Sequence, residues 1–367
     1  MSAKANDRAY MAHALRLAAR GLTTTDPNPR VGCVIVAGDE VVGEGWHIRA
    51  GEAHAEAIAL NQAGDRAAGS TVYVTLEPCC HEGRTPPCVD RLVQAKVRRV
   101  VYAANDPNPA VAGQGAERLR AAGVDMESGL MESESRLLNP GFFSRMIRNR
   151  PWVRSKLAVS VDGRTALANG ASKWITGEAA RSDVQRWRAR STAILTGAGT
   201  VIADDPSLNV RDPELSDARQ PMRVIVDSRL RMSPNARVLS IPGDTVVLYC
   251  DASDKTVREL AHAGARVEKM PAANGRVALE AVMSWLSQME VNELLVEAGP
   301  VLNGALIEAG LIDEYLLYIA SHILGTDARG MFGISALQKM SDRVELQLID
   351  VRHVGDDLRL RYQAAAE

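Results

Sequence analysis

Three residues of this chain combine metal-binding chemistry with suitable spacing: His54 in His54-Ala55-Glu56, Cys79 in Pro78-Cys79-Cys80, and Cys88 in Thr85-Pro86-Pro87-Cys88. One imidazole and two thiolates fill three of the four tetrahedral positions of zinc. The fourth stays open to water, which separates a catalytic zinc site from a closed structural one. Glu56, two residues after the histidine, is placed to move protons rather than to bind metal. Together these residues read as a hydrolytic zinc deaminase: activated water attacks an amidine carbon, and the glutamate carries a proton to the departing ammonia. The usual deaminase pattern closes with P-C-x-x-C, whereas eight residues separate Cys79 from Cys88 here. Taken alone, H-x-E also fits a helix start with an exposed glutamate, and Cys79-Cys80 fits two small buried residues.

The surrounding pattern joins the two halves of the motif. His54 and Glu56 open the apolar run 53–63, which places both in the first turn of a helix. Residues 71–75 read as a strand that delivers Cys79 just beyond its end. Thr85 is a good N-cap with Pro86 or Pro87 at the first helical position. Cys88 then lies in the first turn of a helix running to about residue 95, where the helix N-terminus favours the thiolate that zinc needs.

Helix and strand patterns alternate through the rest of the first half: a helix over 9–22, strands over 31–36 and 41–46 around the turn Gly38-Asp39, a strand over 100–103, then a last helix and strand separated by Gly123. This is an α/β layered domain with its site at strand ends. A second domain begins near Arg150-Pro151, giving expected domains of 1–149 and 150–367. Its strands are expected over 153–161, 193–196, 223–226, 245–249 and 293–296, with helices over 178–189, 256–263 and 277–289. The closing strands over 314–319, 344–353 and 358–362 have no helix between them, which predicts a mostly parallel sheet with an antiparallel edge.

Composition narrows the classes. The 46% hydrophobic fraction is that of an ordinary globular protein. No apolar run reaches membrane length and no signal peptide opens the chain, so no membrane role is expected. Five cysteines, three of them in or beside the zinc motif, fit a reducing cytoplasm better than a disulfide framework. A net charge of −2 with no basic block argues against a nucleic-acid partner.

Several strand-to-loop junctions of the second half are rich in Gly, Ser, Thr and Asp: Ser160-Val161-Asp162-Gly163, Gly197-Ala198-Gly199-Thr200 and Glu297-Ala298-Gly299-Pro300. Backbone amides at such a helix start can cradle a pyrophosphate, or the glycines can simply serve an ordinary strand-to-helix turn. The G-x-G-x-x-G fingerprint is absent. Glu297, ending the apolar run Leu294-Leu295-Val296, faces either a ligand or a backbone partner.

Along nearly its whole length the chain resembles the bacterial bifunctional riboflavin-biosynthesis enzymes, in which a diaminohydroxyphosphoribosylaminopyrimidine deaminase is fused to a 5-amino-6-(5-phosphoribosylamino)uracil reductase. The resemblance rests on Pro27-Asn28-Pro29, His54-Ala55-Glu56, the run from Thr75-Leu76-Glu77-Pro78-Cys79-Cys80 through His81-Glu82-Gly83-Arg84 to Cys88, and Asp106-Pro107-Asn108-Pro109. In the second half it rests on Lys156-Leu157-Ala158, Ser172-Lys173-Trp174-Ile175-Thr176, Ala203-Asp204-Asp205-Pro206 and Val296-Glu297-Ala298-Gly299-Pro300. The long gap between Cys79 and Cys88 is this family's own spacing.

The resemblance implies an α/β protein of two domains: a cytidine-deaminase-like three-layer α/β/α domain and a dihydrofolate-reductase-like mixed sheet with an antiparallel edge. It implies one Zn2+ per chain on His54, Cys79 and Cys88, with Glu56 as the catalytic proton shuttle. Asn28, His47, Arg84, Asp106 and Asn108 fall at the family's pyrimidine and ribose-phosphate positions, and Cys80 reads as a bystander. Ala158, Trp174, Thr200, Asp204, Ser228 and the run Gly299, Pro300, Val301, Leu302, Asn303, Gly304, Ala305 fall at its NADPH positions. Ser172, Arg188, Leu208, Arg211 and Glu297 fall at its substrate positions, with Arg188 and Arg211 expected to hold the phosphate. Arg229 or Arg231 is expected to meet the 2′-phosphate of NADPH. The partner is then a small phosphorylated pyrimidine, and the family expectation is a homo-oligomer, dimer or tetramer. Two other readings stay open at this point. One is a zinc deaminase for a free nucleoside or RNA base with a C-terminal binding module. The other is a zinc-stabilised scaffold closed by His81 or Cys80.

Overall fold

The computed structural model describes residues 3–80, 86–109 and 111–364. The chain divides into two compact units between Asn149 and Arg150.

The first unit runs α1 (Ala3–Ala19), β1 (Gly32–Ala37), β2 (Glu40–Trp46), α2 (Ala55–Ala63), β3 (Thr71–Leu76), α3 (Cys88–Gln94), β4 (Arg99–Ala104), α4 (Gln114–Ala121), β5 (Asp125–Ser128), α5 (Glu132–Leu138) and α6 (Pro140–Arg148). Its sheet has the order β2-β1-β3-β4-β5, with β1 antiparallel to both neighbours and β3, β4 and β5 parallel. Strand alternation sorts the apolar side chains onto two faces. Cys33, Ile35, Val72, Val74, Val100 and Tyr102 pack with Leu92 of α3 and Leu119 of α4. Val34, Val36, Tyr73, Val101 and Ala103 pack with Met11, Ala14 and Leu17 of α1. Helices therefore cover both faces, and the central β3 is buried along its whole length.

Helix α2 lies unusually close to β2. A Cβ on Gly43 would stand 2.2 Å from the Ala59 carbonyl oxygen, and one on Gly45 would stand 2.6 Å from that of Ala55. Glycine on the strand and alanine on the helix permit this approach, and it fixes where α2 begins. Helix α1 starts earlier than the expected residue 9 and stops before Gly21. Helices α5 and α6 were not expected from the sequence. They are short, and α6 turns the apolar pair Phe142-Phe143 onto Leu76 and Ala104.

The second unit runs β6 (Trp152–Ser160), β7 (Arg164–Ala166), α7 (Glu178–Arg190), β8 (Ala193–Gly197), α8 (Ala198–Asp204), β9 (Met222–Val226), α9 (Arg237–Ser240), β10 (Thr245–Tyr249), α10 (Asp254–His262), β11 (Arg266–Lys269), β12 (Ala272–Ala273), β13 (Arg276–Val277), α11 (Leu279–Gln288), β14 (Glu293–Val296), α12 (Pro300–Glu308), β15 (Glu314–Ala320), β16 (Arg329–Gly330), β17 (Leu346–Val354) and β18 (Asp357–Ala364). Nine strands form one sheet in the order β11-β10-β9-β8-β14-β6-β15-β18-β17. The seven from β11 to β15 are parallel, and β18 and β17 form the antiparallel edge. The inner strands β8, β9 and β14 are nearly continuous apolar runs, as strands covered on both faces must be.

One charged cluster interrupts this core. Arg154 on β6, fully buried, pairs with Glu293 at 3.1 Å and Glu314 at 2.8 Å. Arg190 and Arg361 complete the two glutamates at 2.7 Å each. The guanidiniums of Arg154, Arg190, Arg359 and Arg361 lie 4.6–5.8 Å from the centre of the Trp187 ring. Burial alone would raise the Glu314 carboxyl, but Arg154 and Arg361 hold it at about 2. Arg154→Leu leaves each buried carboxylate short of a partner and is expected to cost about 3–5 kcal/mol. Urea unfolding followed by tryptophan fluorescence checks this, since four of the five tryptophans lie in this unit.

Candidate active sites

In the first unit the ends of α2, β3 and α3 converge. His54 is the N-cap residue of α2, with extended backbone (φ −71°, ψ 161°), one position ahead of the expected first turn. Cys79 lies three residues past β3. Cys88 is the first residue of α3, and Pro87 occupies the N-cap position (φ −54°, ψ 135°) for which Thr85 was expected. Thr85 itself lies outside the described residues, as do His81 and Arg84.

His54 Nδ1 stands 3.3 Å from Cys88 Sγ and 3.5 Å from Cys79 Sγ. Zinc bonds of ordinary length at tetrahedral angles place such nitrogen and sulfur ligands roughly 3.5 Å apart, so the triad fits the ion. All three ligand atoms lie within 4.8 Å of one another, and Cys80 is not among them. The Cys88 amide donates to Cys79 Sγ at 3.4 Å. A hydrogen bond from Cys88 and then the His54 ring lower the Cys79 thiol, while the same bond raises Cys88. Glu56, in the first turn of α2, is 4% exposed, and burial raises its carboxyl above the usual range.

His47 is tied at both ring nitrogens, to the Ala53 carbonyl at 3.1 Å and to Asn28 Nδ2 at 3.0 Å. A carbonyl only accepts, so Nδ1 carries the proton and Nε2 accepts from the amide. The ring is therefore neutral, as its burial also favours, and it sets Ala53 ahead of His54 and orients Asn28. Asp106 follows β4 and accepts from the Asn108 amide at 2.8 Å. Burial pushes its carboxyl up to about 7. Glu77 organises this loop. Its buried carboxylate accepts from the backbone amides of Asp106, Gly113 and Ala116 at 3.0–3.3 Å. Glu77 was not singled out in the sequence. The signal was there: a carboxylate closing a fully buried strand needs several donors.

In the second unit a cavity of about 980 Å³ opens at the carboxyl ends of the central strands. Ala158, Thr200, Asp204, Ser228, Gly299, Pro300, Val301, Leu302 and Ala305 line it, as do Ser172, Arg188, Leu208 and Glu297. Four expected residues do not. Trp174 is 70% exposed, with the Arg181 guanidinium 4.6 Å from its ring. Asn303 is buried between Ser155 Oγ and the Ala298 carbonyl. Gly304 packs its backbone against Gly333, where a Cβ would stand 2.2 Å from the carbonyl oxygen. Arg211 bonds to Asn209 Oδ1 at 3.1 Å.

Arg188, expected to hold the phosphate, is already engaged within the protein. Its Nε and Nη2 grip Glu297 at 2.6 and 2.9 Å, and Nη1 donates to the Asn209 carbonyl at 3.1 Å. Three of its five donors are thus committed. Burial would raise Glu297, but Arg188 and then Lys156 hold its carboxyl at about 2. Lys156, whose ammonium is lowered by burial, lines the same end of the cavity and was quoted in the sequence only as part of a matching stretch. The starts of α8 and α12 also line the cavity, presenting backbone amides suited to phosphates. These helix starts, the volume of the cavity and its basic residues fit a nicotinamide dinucleotide phosphate.

Residues 4–104 match the family described as the cytidine and deoxycytidylate deaminase zinc-binding region, and residues 151–360 match the RibD C-terminal domain. The chain is 48% identical to riboflavin biosynthesis protein RibD of Escherichia coli, over 98% of this chain and 100% of that one. The chain belongs to the RibD family. It is 45% identical to the Haemophilus influenzae RibD over 97% of each chain. The solved structure of Acinetobacter baumannii RibD superposes with a TM-score of 0.92 at 44% identity, covering 99% of this chain and 100% of that one. The Thermotoga maritima deaminase/reductase superposes at 0.86 and 30% identity, covering 98% and 99%. As a RibD, the protein is a bifunctional enzyme of riboflavin biosynthesis, a zinc-dependent deaminase domain followed by an NADPH-dependent reductase domain.

Proposed function

We propose that the first unit hydrolyses the 2-amino group of 2,5-diamino-6-ribosylamino-4(3H)-pyrimidinone 5′-phosphate, and that the second reduces the ribosyl group of the product to a ribityl chain. The observation that carries this reading is the convergence of His54 Nδ1, Cys79 Sγ and Cys88 Sγ beside the buried Glu56, in one chain with a charged, dinucleotide-sized cavity. When bound, zinc supplies Lewis acidity towards water and NADPH supplies a hydride. The Glu56 carboxylate takes the proton of the attacking water and returns it to the departing amine. Its raised affinity for protons suits both transfers. Asn28, Asp106 and Asn108 hold the pyrimidine and ribose, and Arg84 is assigned to the phosphate. In the second unit Lys156 and Glu297 flank the opened ribose, where C1′ gains a hydride and the ring-bound nitrogen gains a proton from the medium. Ser172 and Leu208 shape the pyrimidine side, and positioning supplies most of the catalysis.

The partner is a small phosphorylated pyrimidine. No helix among the described residues is long and apolar enough to cross a bilayer. None of the five cysteines forms a disulfide, which supports a cytoplasmic location. We also infer a homo-oligomer. The outer strand β17 exposes Leu346, Leu348, Ile349 and Val351 on an unpaired edge. Two copies paired antiparallel about Val351 would set Asp350 opposite Arg352. Light scattering is expected to give a mass of at least two chains, and Leu348→Asp to shift it towards one.

The function is tested by mass spectrometry of the zinc-loaded protein with the diaminopyrimidinone substrate. Deaminated product without NADPH, and deaminated, reduced product with it, is the expected result. Deamination alone, unchanged by NADPH, overturns the reductase assignment.

A further inference from the structure

The reductase cavity has a second charged end, away from Lys156 and Glu297. Along the sheet the strands run β9-β8-β14-β6. Lys156 lies on β6 and Glu297 follows β14, whereas Ser228, Arg229 and Arg231 follow β9. Three strand spacings separate β9 from β6, roughly 14 Å, a distance that suits the two ends of one extended dinucleotide. The helix starts of α8 and α12 lie between these ends.

A third arginine reaches this far end from another element. Arg276 begins β13 of the short β12–β13 hairpin, and it lines the cavity together with Gly275 and Val277. The hairpin is fastened to the turn after β9, because the Val277 amide donates to Ser228 Oγ at 3.0 Å. That bond uses the hydroxyl oxygen as acceptor and leaves the Ser228 hydrogen for an acceptor in the cavity. Arg229, Arg231 and Arg276 are all exposed. Arg231 Nε stands 3.8 Å from Oδ1 of Asp227, which is buried, and the exposed Asp251 donates its amide to the Ser228 carbonyl at 2.9 Å. The acids on the cavity wall are Asp204 and Glu297, and Glu297 is held by Arg188 at the other end. The β9 end is therefore a cationic mouth with a hydroxyl donor at its floor, arranged for a dianionic group.

We propose that Arg229, Arg231 and Arg276, with the Ser228 hydroxyl, form the subsite for the ribose 2′-phosphate of the cofactor, and that Arg276, carried by the hairpin, sets the preference for NADPH over NADH. The proposal rests on the reductase reading above. It extends that reading from the residues following β9 to a separate element, the hairpin tied to them by the Val277-to-Ser228 bond.

The test is calorimetric titration of the zinc-loaded full chain with 2′,5′-ADP and with 5′-AMP, which differ in the 2′-phosphate. Arg276→Ala is expected to weaken 2′,5′-ADP about ten- to a hundredfold, the range of a charge-assisted hydrogen bond. Binding of 5′-AMP should be unchanged, which also shows that the cavity is intact. Arg276→Lys should recover part of the loss, and the salt dependence of 2′,5′-ADP binding should fall in the alanine variant. An equal effect on both nucleotides, or none on either, overturns the assignment. If these arginines instead served the substrate's 5′-phosphate, Arg276→Ala would leave 2′,5′-ADP binding intact and raise the reductase KM, which also overturns it. A wild-type chain that binds neither NADPH nor 2′,5′-ADP would sink the reductase reading itself.

Discussion

Glu56→Gln is expected to lower deamination by about 10²–10⁴-fold, the range associated with a positioned general acid–base. Glutamine keeps the shape of the side chain in its buried position at the start of α2, so the loss isolates the proton transfers. Zinc content should be unchanged, because the converging ligand atoms belong to His54, Cys79 and Cys88. NADPH-dependent reduction of supplied deaminated intermediate should also be unchanged, because Lys156 and Glu297 belong to the other compact unit. Ammonia release, metal analysis and NADPH absorbance measure the three quantities on one preparation. Loss of zinc along with activity would recast Glu56 as a residue that supports the metal site. Loss of reduction would mean that the two units do not work separately.

The zinc triad was legible because its ligands sit where local sequence speaks most clearly, at the end of an apolar strand and at two helix starts. The strands over 31–36 and 71–75 were likewise legible as short runs of mostly apolar residues. What stayed hidden depends on the partner that each side chain meets. The Arg188–Glu297 pair was hidden because it joins residues 109 positions apart. Glu77 and Lys156 are ordinary charged residues until their burial is known. The run 299–305 shows a different limit. Taken as seven consecutive cofactor residues, it ignores that α12 begins at Pro300 and presents one side at a time. Val301, Leu302 and Ala305 line the cavity, while Asn303 and Gly304 turn inward to Ser155 and Gly333. Helical periodicity alone would have separated them.

Glu297→Gln is expected to damage the reductase in two separable ways. The carboxylate balances Arg188 and Lys156 in a buried setting, and it is held at about 2 against an ordinary value of 4.5. A carboxyl depressed on folding contributes stability that is fully present above its unfolded value. That stability drains away as pH falls from about 4.5 towards 2. The depression corresponds to on the order of 3 kcal/mol at neutral pH. The variant should therefore unfold at lower urea than the parent at pH 7, and the two should converge as pH approaches 2. A gap that stays constant with pH would mean that packing, rather than the ion pair, is the source. Catalysis supplies the second readout. If Glu297 holds the opened ribose against the nicotinamide, kcat for reduction should fall by about two orders of magnitude or more, as misplacement at a reacting centre does. Binding of 2′,5′-ADP should stay at the parental affinity, since the arginines at the β9 end are untouched. Deamination should also be unaffected. A variant that loses stability yet keeps its kcat would make Glu297 a structural counter-ion of Arg188 and leave Lys156 as the residue that meets the substrate.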